Sequence, residues 1–350
     1  ATTACLRARY CIGALFQRKT MFVKRLFCFV ILLCLISLSA FGQSAKPVPN
    51  IERLRVRLQE LVNAFPGTMG VAVRDIASGQ TVSINGDRLF PMASAYKIPI
   101  LVEVFRQVEA KKFSLDDRVE LTADDRTLGS GVLTLMSPGL KPTIRDLALL
   151  MIILSDNQAT DILLTKVGAE NVTATMRKLG LNNIRVDRTT FELIRDYLAL
   201  IDDAARDKTK QQLMNRPQLN TSSPDRVAKA DAEFAKIMKD VASPSDMALL
   251  LEMVVKGKAA SEDSCRQMMT IMNRQQFNHR LPRYLPENTG FAHKTGTIGS
   301  TTNDAGVMFV RGNPIALVVF TVDKRTGRGE VEEQMGRLAR VVYDFFDAVK

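Results

Sequence analysis

Strand signals sit at the two ends of this chain, and helical periodicity fills the long stretch between them. Residues 68–75 (TMGVAVRD) and 81–85 (TVSIN) read as two strands joined by a turn at Ala77-Ser78-Gly79. Three more strand candidates come near the other end: 289–296 (TGFAHKTG), 304–311 (DAGVMFVR) and 314–322 (PIALVVFTV). Between them, from about residue 93 to 282, β-branched runs are few. The most apolar segment there, 146–154 (DLALLMIIL), has the composition of a helix buried on nearly all sides. Amphipathic helices flank the strands: 49–65, with Ile51, Leu54, Leu58, Leu61, Val62 and Phe65, and 330–348, with Val331, Met335, Leu338, Val342 and Phe345. Both ends must therefore contribute to one sheet, with a helical domain inserted between its halves. The division predicted is an α/β domain from 43–88 and 285–350, and an all-helical domain from 89–284. One stretch stands outside this plan. Residues 204–240 are polar, Lys-rich and poor in large apolar side chains, and read as a surface insertion or lid in which Val227, Phe234, Ile237 and Met238 can support one helix.

With 350 residues, 46% of them hydrophobic, the chain can bury a substantial core. Its formal charge of +11 is misleading as a sign of nucleic-acid binding. Residues 1–42 hold six of the 48 basic residues and no acid, which leaves 42 basic against 37 acidic residues, a formal +5. An excess of that size, spread along a long chain without Trp, is a solubility charge and not a phosphate footprint. From Met21 the sequence shows a short basic region (Lys24, Arg25), an apolar run over 26–39 and small residues at Ala40 and Gly42. That is the pattern of a secretory signal peptide over 21–42, with an N-terminal membrane anchor as the alternative. Residues 1–20 are expected to be upstream leader, and the mature protein to be periplasmic or secreted. Cys5, Cys11, Cys28 and Cys34 leave with that leader, so Cys265 remains alone, without an internal disulfide or a cysteine metal site.

Three short motifs carry chemistry. Ser94-Ala95-Tyr96-Lys97 opens an apolar helix. A serine needs a neighbouring base to act as a nucleophile, and a spacing of three residues on a helix puts Lys97 on the face of Ser94. Alone this is weak, since an S-x-x-K is expected on the order of once in a chain this long, and a capping serine beside a surface lysine reads the same. Ser155-Asp156-Asn157 follows the most apolar helix, where three polar residues either face a cleft or simply end the helix. Lys294-Thr295-Gly296, followed by Thr297, lies on a strand. It offers a fixed positive charge and a close backbone approach, and the Thr297 N–H can pair with that of Ser94 as an oxyanion hole.

S-x-x-K, S-D-N and K-T-G in this order are the motif set of the serine β-lactamases and penicillin-binding proteins. The chain resembles that superfamily, its class A-like branch above all, from about residue 49 to the C-terminus. SAYKIPIL, LSDNQATDILL, HKTGTIGSTTND and SPSDMALLL resemble class A enzymes around the motifs as well. The resemblance implies that Ser94 is the acylated nucleophile and Lys97 a base whose pKa is pushed down by burial and by Lys294. It makes Ser155 the relay to the leaving nitrogen and Asn157 the amide that holds the substrate side-chain carbonyl. Lys294 and Thr295, with Gly296 and Thr297, would bind the substrate carboxylate. Members often add an arginine for that carboxylate. Here Arg280, fourteen residues before Lys294, stands where some supply it; an exposed loop arginine is the alternative.

The chain departs from the family where deacylation is concerned. Class A enzymes use a loop glutamate after an arginine to activate the hydrolytic water. Residues 186–197 (VDRTTFELIRDY) resemble that loop, with Arg188 at the arginine, but the glutamate position holds Thr190 and the nearest acid is Glu192. Either the loop is re-registered so that Glu192 reaches the water, or the usual base is missing. The expected fold is of the α+β sandwich kind: an antiparallel five-stranded sheet flanked by the terminal helices, with an inserted all-helical domain. The expected function is β-lactam hydrolysis through a Ser94 acyl-enzyme, by a monomer without metal or cofactor, with a small-molecule substrate and no nucleic-acid partner. The alternatives are a D-alanyl-D-alanine peptidase or penicillin-binding-like protein, and a β-lactam sensor that acylates without turnover.

Overall fold

Two residue sets alternate along the strands, and each finds its own helical layer. The computed structural model describes residues 51–215, 223–322 and 327–348; the leader and signal segment, with its four cysteines, lies outside them. Helix α1 (Ile51–Ala64) leads into β1 (Thr68–Asp75) and β2 (Thr81–Ile84). A short strand β3 (Phe90–Pro91) and a single 3₁₀ turn (Ala93–Tyr96) then pass the chain to α2 (Lys97–Glu109). The helices continue with α3 (Ile144–Ile153), α4 (Asn157–Val167), α5 (Ala169–Lys178), α6 (Thr190–Ile201), α7 (Lys210–Met214) and α8 (Pro224–Phe234). Strand β4 (Val241–Ala242) pairs with β3, and α9 (Pro244–Val255) and α10 (Glu262–Met272) follow. Strands β5 (Phe291–Ile298), β6 (Thr301–Val310) and β7 (Asn313–Val322) and helix α11 (Arg328–Ala348) complete the chain.

The five long strands form one antiparallel sheet in the order β2-β1-β7-β6-β5, so the two ends of the chain meet at the β1–β7 pair. Side chains alternate across a strand with a period of two. Met69, Val71, Val73, Ile315, Leu317 and Val319 face one way, onto Leu54 and Leu58 of α1 and Met335 and Leu338 of α11. Ala72, Ala316, Val318 and Phe320 face the other way, into the larger core that includes Met247, Leu250 and Leu251 of α9. The predicted five-stranded antiparallel sheet, flanked by terminal helices, is what the chain forms.

Two features differ from the sequence expectation. Helix α9, expected within the helical domain, lies on the sheet, with Met247 and Leu250 in the same core as Val318 and Phe320. Its sequence is apolar on two faces, and periodicity does not say which neighbours the faces meet. The insertion, described except for 216–222, also does more than cover the surface. Phe234 of α8 is buried in a small cluster with Ala93, Leu193 and Ile298. The Tyr197 and Phe234 rings stand nearly perpendicular with centroids 5.4 Å apart, and the Tyr197 hydroxyl donates to Asp231 Oδ1 at 2.7 Å. This arm thus seats itself against the residue that precedes Ser94 and against the end of β5.

Candidate active site

The segment before Ser94 is held from both sides. Asn303 of β6 donates from Nδ2 to the carbonyls of Pro91 (2.8 Å) and Met92 (3.0 Å), and Met92 N donates to the Asp240 carbonyl (2.9 Å). Ala93 is thereby kept at φ 46°, a left-handed conformation that costs an alanine on the order of 1 kcal/mol. The strained residue turns the chain so that the next side chain, Ser94, lines the cavity. Strand β5 passes close by because Gly296 has no side chain: a Cβ there would stand 2.5 Å from the Met92 carbonyl oxygen and 2.9 Å from the Ala95 nitrogen. This approach brings Thr297 beside the turn that carries Ser94.

Lys97, at the start of α2, is fully buried. Its Nζ donates to the Ser155 carbonyl (2.8 Å), the Ser155 hydroxyl (3.1 Å) and Asn157 Oδ1 (2.8 Å). Burial pushes its pKa down to about 7, against the pull of Asp161 and Asp156. The neighbouring positive charge acts on the other lysine. Lys294 is also fully buried, and burial, then Lys97 and Arg280, hold its pKa well below the usual lysine value. Its Nζ donates to the Thr295 carbonyl at 2.7 Å, so it lies behind the cavity wall, which Thr295 and Thr297 line.

The S-D-N triplet is a junction as well as a wall. Ser155 stands at φ 55° between α3 and α4. Asp156 is completely buried and accepts from Val132 N (2.7 Å), Leu133 N (2.9 Å) and Ala159 N (2.9 Å), which fastens the loop through Ser130 to the start of α4. Ser130 donates to the Ser155 carbonyl at 2.7 Å and lines the cavity with Ser155 and Asn157. Sequence reasoning passed over Ser130; its only signal was the pair of flanking glycines, both at positive φ, where Cβ atoms would run into Asn157 and Asp156.

Arg280 is a buried latch and not an exposed loop residue. Its Nη1 donates to the carbonyls of Gly296 (2.9 Å) and Asn303 (2.6 Å), its Nη2 donates to Thr297 Oγ1 (2.6 Å), and Nε lies 3.3 Å from Glu332 Oε1. It borders the cavity beside Thr295 and Thr297. Among the described residues, no group of three His, Cys, Asp or Glu side chains could hold a metal ion.

Glu192 lies away from this assembly. Thr189 and Glu192 form a capping box on α6: Glu192 Oε2 accepts from Thr189 N (2.8 Å) and Thr189 Oγ1 (2.9 Å), and Glu192 N donates back to Thr189 Oγ1 (3.2 Å). The segment expected as a loop is a helix from Thr190 onward, and the residues it turns toward the cavity are Thr190, Leu193 and Ile194. The Thr-x-x-Glu signature before an apolar run was readable in the sequence. Arg188 holds the base of the whole excursion, donating to Asp240 Oδ2 (2.7 Å) and Asp196 Oδ2 (2.8 Å). Glu192→Gln, which keeps a capping acceptor, is expected to leave the rates of any acylation and deacylation at Ser94 within about two-fold of wild type, and Glu192→Ala to lower stability by about 1 kcal/mol. Single-turnover kinetics and thermal melts check both, and accumulation of acyl-enzyme in the Gln variant would return Glu192 to a role in catalysis.

The cavity measures about 560 Å³, and Glu332 is the only carboxylate among the described residues lining it. The sequence profile of the β-lactamase enzyme family matches residues 53–346. Beta-lactamase VEB-1 of Pseudomonas aeruginosa is 23% identical over 89% of this chain and 96% of its own length. The β-lactamase of Streptomyces albus G is 27% identical over 86% of each chain. Beta-lactamase SME-1 of Serratia marcescens is 31% identical over 47% of this chain and 55% of its own. Among solved structures, a β-lactamase from Sphaerobacter thermophilus superposes with a TM-score of 0.67 at 28% identity, over 86% of this chain and 98% of that one. PBP-A shares the fold at 24% identity with a TM-score of 0.68, over 85% of this chain and 96% of that one.

Proposed function

The chain belongs to the β-lactamase enzyme family, and from that premise we propose that it opens β-lactam amides through an acyl-enzyme on Ser94 and hydrolyses the ester with Lys97 as base. The observation that carries this reading is the buried Lys97 amine, with a pKa near 7 and hydrogen bonds to Ser155 and Asn157, one turn on from the cavity-lining Ser94.

Neutral Lys97 accepts the Ser94 hydroxyl proton as Oγ bonds to the lactam carbonyl carbon. Collapse of the tetrahedral species breaks the C–N bond. The Ser155 hydroxyl gives its proton to the leaving nitrogen and is reprotonated from Lys97, so in net one proton passes from Ser94 to the ring nitrogen. The Ser94 and Thr297 N–H groups would hold the oxyanion. A substrate carboxylate against Thr295 and Thr297 favours the protonated form of Lys294 behind them, so binding itself restores the positive charge that burial suppresses. In the second step Lys97 takes a proton from the water that attacks the ester carbonyl, and collapse breaks the bond to Ser94 Oγ, which takes that proton back from Lys97 as the ring-opened acid leaves.

A second reading is favoured by the loop. Thr190, whose hydroxyl is 2.6 Å from that of Tyr96, faces the cavity, while the nearest acid of the loop caps a helix. A slow deacylation of the β-lactam adduct suits a D-alanyl-D-alanine peptidase or transpeptidase-like protein, in which the same acylation acts on cell-wall peptide, or a sensor that stays acylated. Incubation with a chromogenic cephalosporin, followed by intact mass, separates the three. Steady turnover with no lasting adduct supports the hydrolase. A lasting adduct together with cleavage of a D-alanyl-D-alanine peptide supports the peptidase or transpeptidase, and a lasting adduct without it supports the sensor. Absence of any adduct or turnover overturns the acylation reading.

A further inference from the structure

One buried carboxylate plays no part in the steps above. Asp161 lies one turn beyond Asn157 on α4, and 4% of its surface is exposed. Its Oδ1 accepts from Thr190 N (2.6 Å), and its Oδ2 from Phe191 N (3.1 Å) and Thr127 Oγ1 (3.2 Å). Both oxygens accept main-chain N–H groups, an arrangement that suits the ionised carboxylate. These two N–H groups belong to the first turn of α6, where a negative charge is favoured by the helix dipole. The same turn presents Thr190 to the cavity. Asn157, on the same helix, holds the Lys97 amine.

We propose that Asp161 is the buried counter-charge of the catalytic lysine, stabilising the ammonium that Lys97 becomes when it takes the Ser94 proton, and fixing the α6 wall of the cavity with the same two oxygens. This rests on the acylation reading above and makes Asp161 a positioning residue. The need for it follows from the loop. A lysine stripped of water gains its proton only if a negative charge stands near, and no carboxylate of α6 enters the cavity. Two anions remain within influence of Lys97. Asp161 exerts the larger favourable pull and Asp156 the smaller, against the burial that lowers the Lys97 pKa. The Tyr96 phenol, bonded to Thr190, is kept protonated by burial and by the Asp161 charge, and so adds no competing anion. Burial raises the Asp161 pKa, while the hydrogen bonds from Thr190, then the charge of Lys210 on α7 of the inserted arm, favour its ionised form.

The test uses the whole protein and Asp161→Asn, with Asp161→Ser as a second neutral variant should the first not fold. Glu103→Gln is the control, a buried carboxylate of α2 bonded to Gln107 and Thr175. The Lys97 side-chain carbon is titrated by NMR in the free protein, assigned with Lys97→Arg. Penicillin acylation is timed in single turnovers from pH 5 to 9. Loss of the Asp161 charge is expected to lower the Lys97 pKa by about one unit, to move the acid limb of acylation down with it, and to cut the plateau rate about tenfold. Glu103→Gln should leave the titration in place. An unmoved Lys97 titration in a folded Asp161 variant overturns the proposal. Failure of the wild type to take up penicillin would overturn the acylation reading, while the titration would still decide the role of Asp161.

Discussion

Ser94→Ala is expected to yield a folded protein that forms no covalent adduct with penicillin and whose β-lactam turnover falls by at least about 10⁴-fold. The size of the effect follows from the kind of group removed. The two other serines that line the cavity among the described residues have other engagements. Ser155 lies at the cavity but is bonded to the Lys97 amine through Oγ, and Ser130 already donates its hydroxyl to the Ser155 carbonyl. Folding should survive, because the segment leading into the 3₁₀ turn is held by the Asn303 side-chain amide and the Asp240 carbonyl, which bond the main chain of Pro91 and Met92, and not by the Ser94 hydroxyl. Intact mass after penicillin treatment and circular dichroism read the two halves of the prediction. A labelled peptide mapping to any other serine would overturn the assignment of the nucleophile.

Lys97→Ala is expected to slow acylation by roughly 10²- to 10⁴-fold and to change its pH dependence. The sign follows from the direction of the pKa. Burial lowers the Lys97 amine to about 7, so it is protonated and idle as a base below that pH, and neutral and competent above it. Acylation by the wild type should therefore rise through pH 7. In the variant that limb should vanish, since the group that titrates is gone. Stopped-flow acylation across pH 5–9 measures both. A variant that keeps the wild-type limb would place the base elsewhere, with Lys294, also stripped of solvent, next in line.

Much of the architecture could be read from local pattern. Strand β1 was predicted to the residue, and β7 and the terminal helices to within two, because alternation and helical periodicity depend on neighbours in sequence. The α6 helix was missed at the point where it mattered. Thr189 and Glu192 were weighed as part of a loop, although Thr-x-x-Glu before Phe191 and Leu193 is a helix start, and a glutamate that closes a capping box has its carboxylate engaged. The sequence left Arg280 between a cavity arginine and an exposed loop arginine: its three hydrogen-bonded carbonyl and hydroxyl partners come from β5 and β6, and only the folded chain brings them to it.

The sequence by itself determined the order S-x-x-K, S-D-N, K-T-G and the strand–helix–strand plan, since residue identity, spacing and period are properties of neighbours along the chain. The tertiary structure decided which charged groups meet. It buried Lys97 against Ser155 and Asn157, seated Phe234 of the insertion beside Ala93, turned Thr190 instead of a carboxylate toward the cavity, and set Asp161 beneath the first turn of α6. The physical reason is range. Periodicity is set over a few residues, whereas burial, and with it the pKa of a lysine, is set by whatever the fold brings into contact across gaps of 58 residues from Lys97 to Ser155 and 211 from Met92 to Asn303.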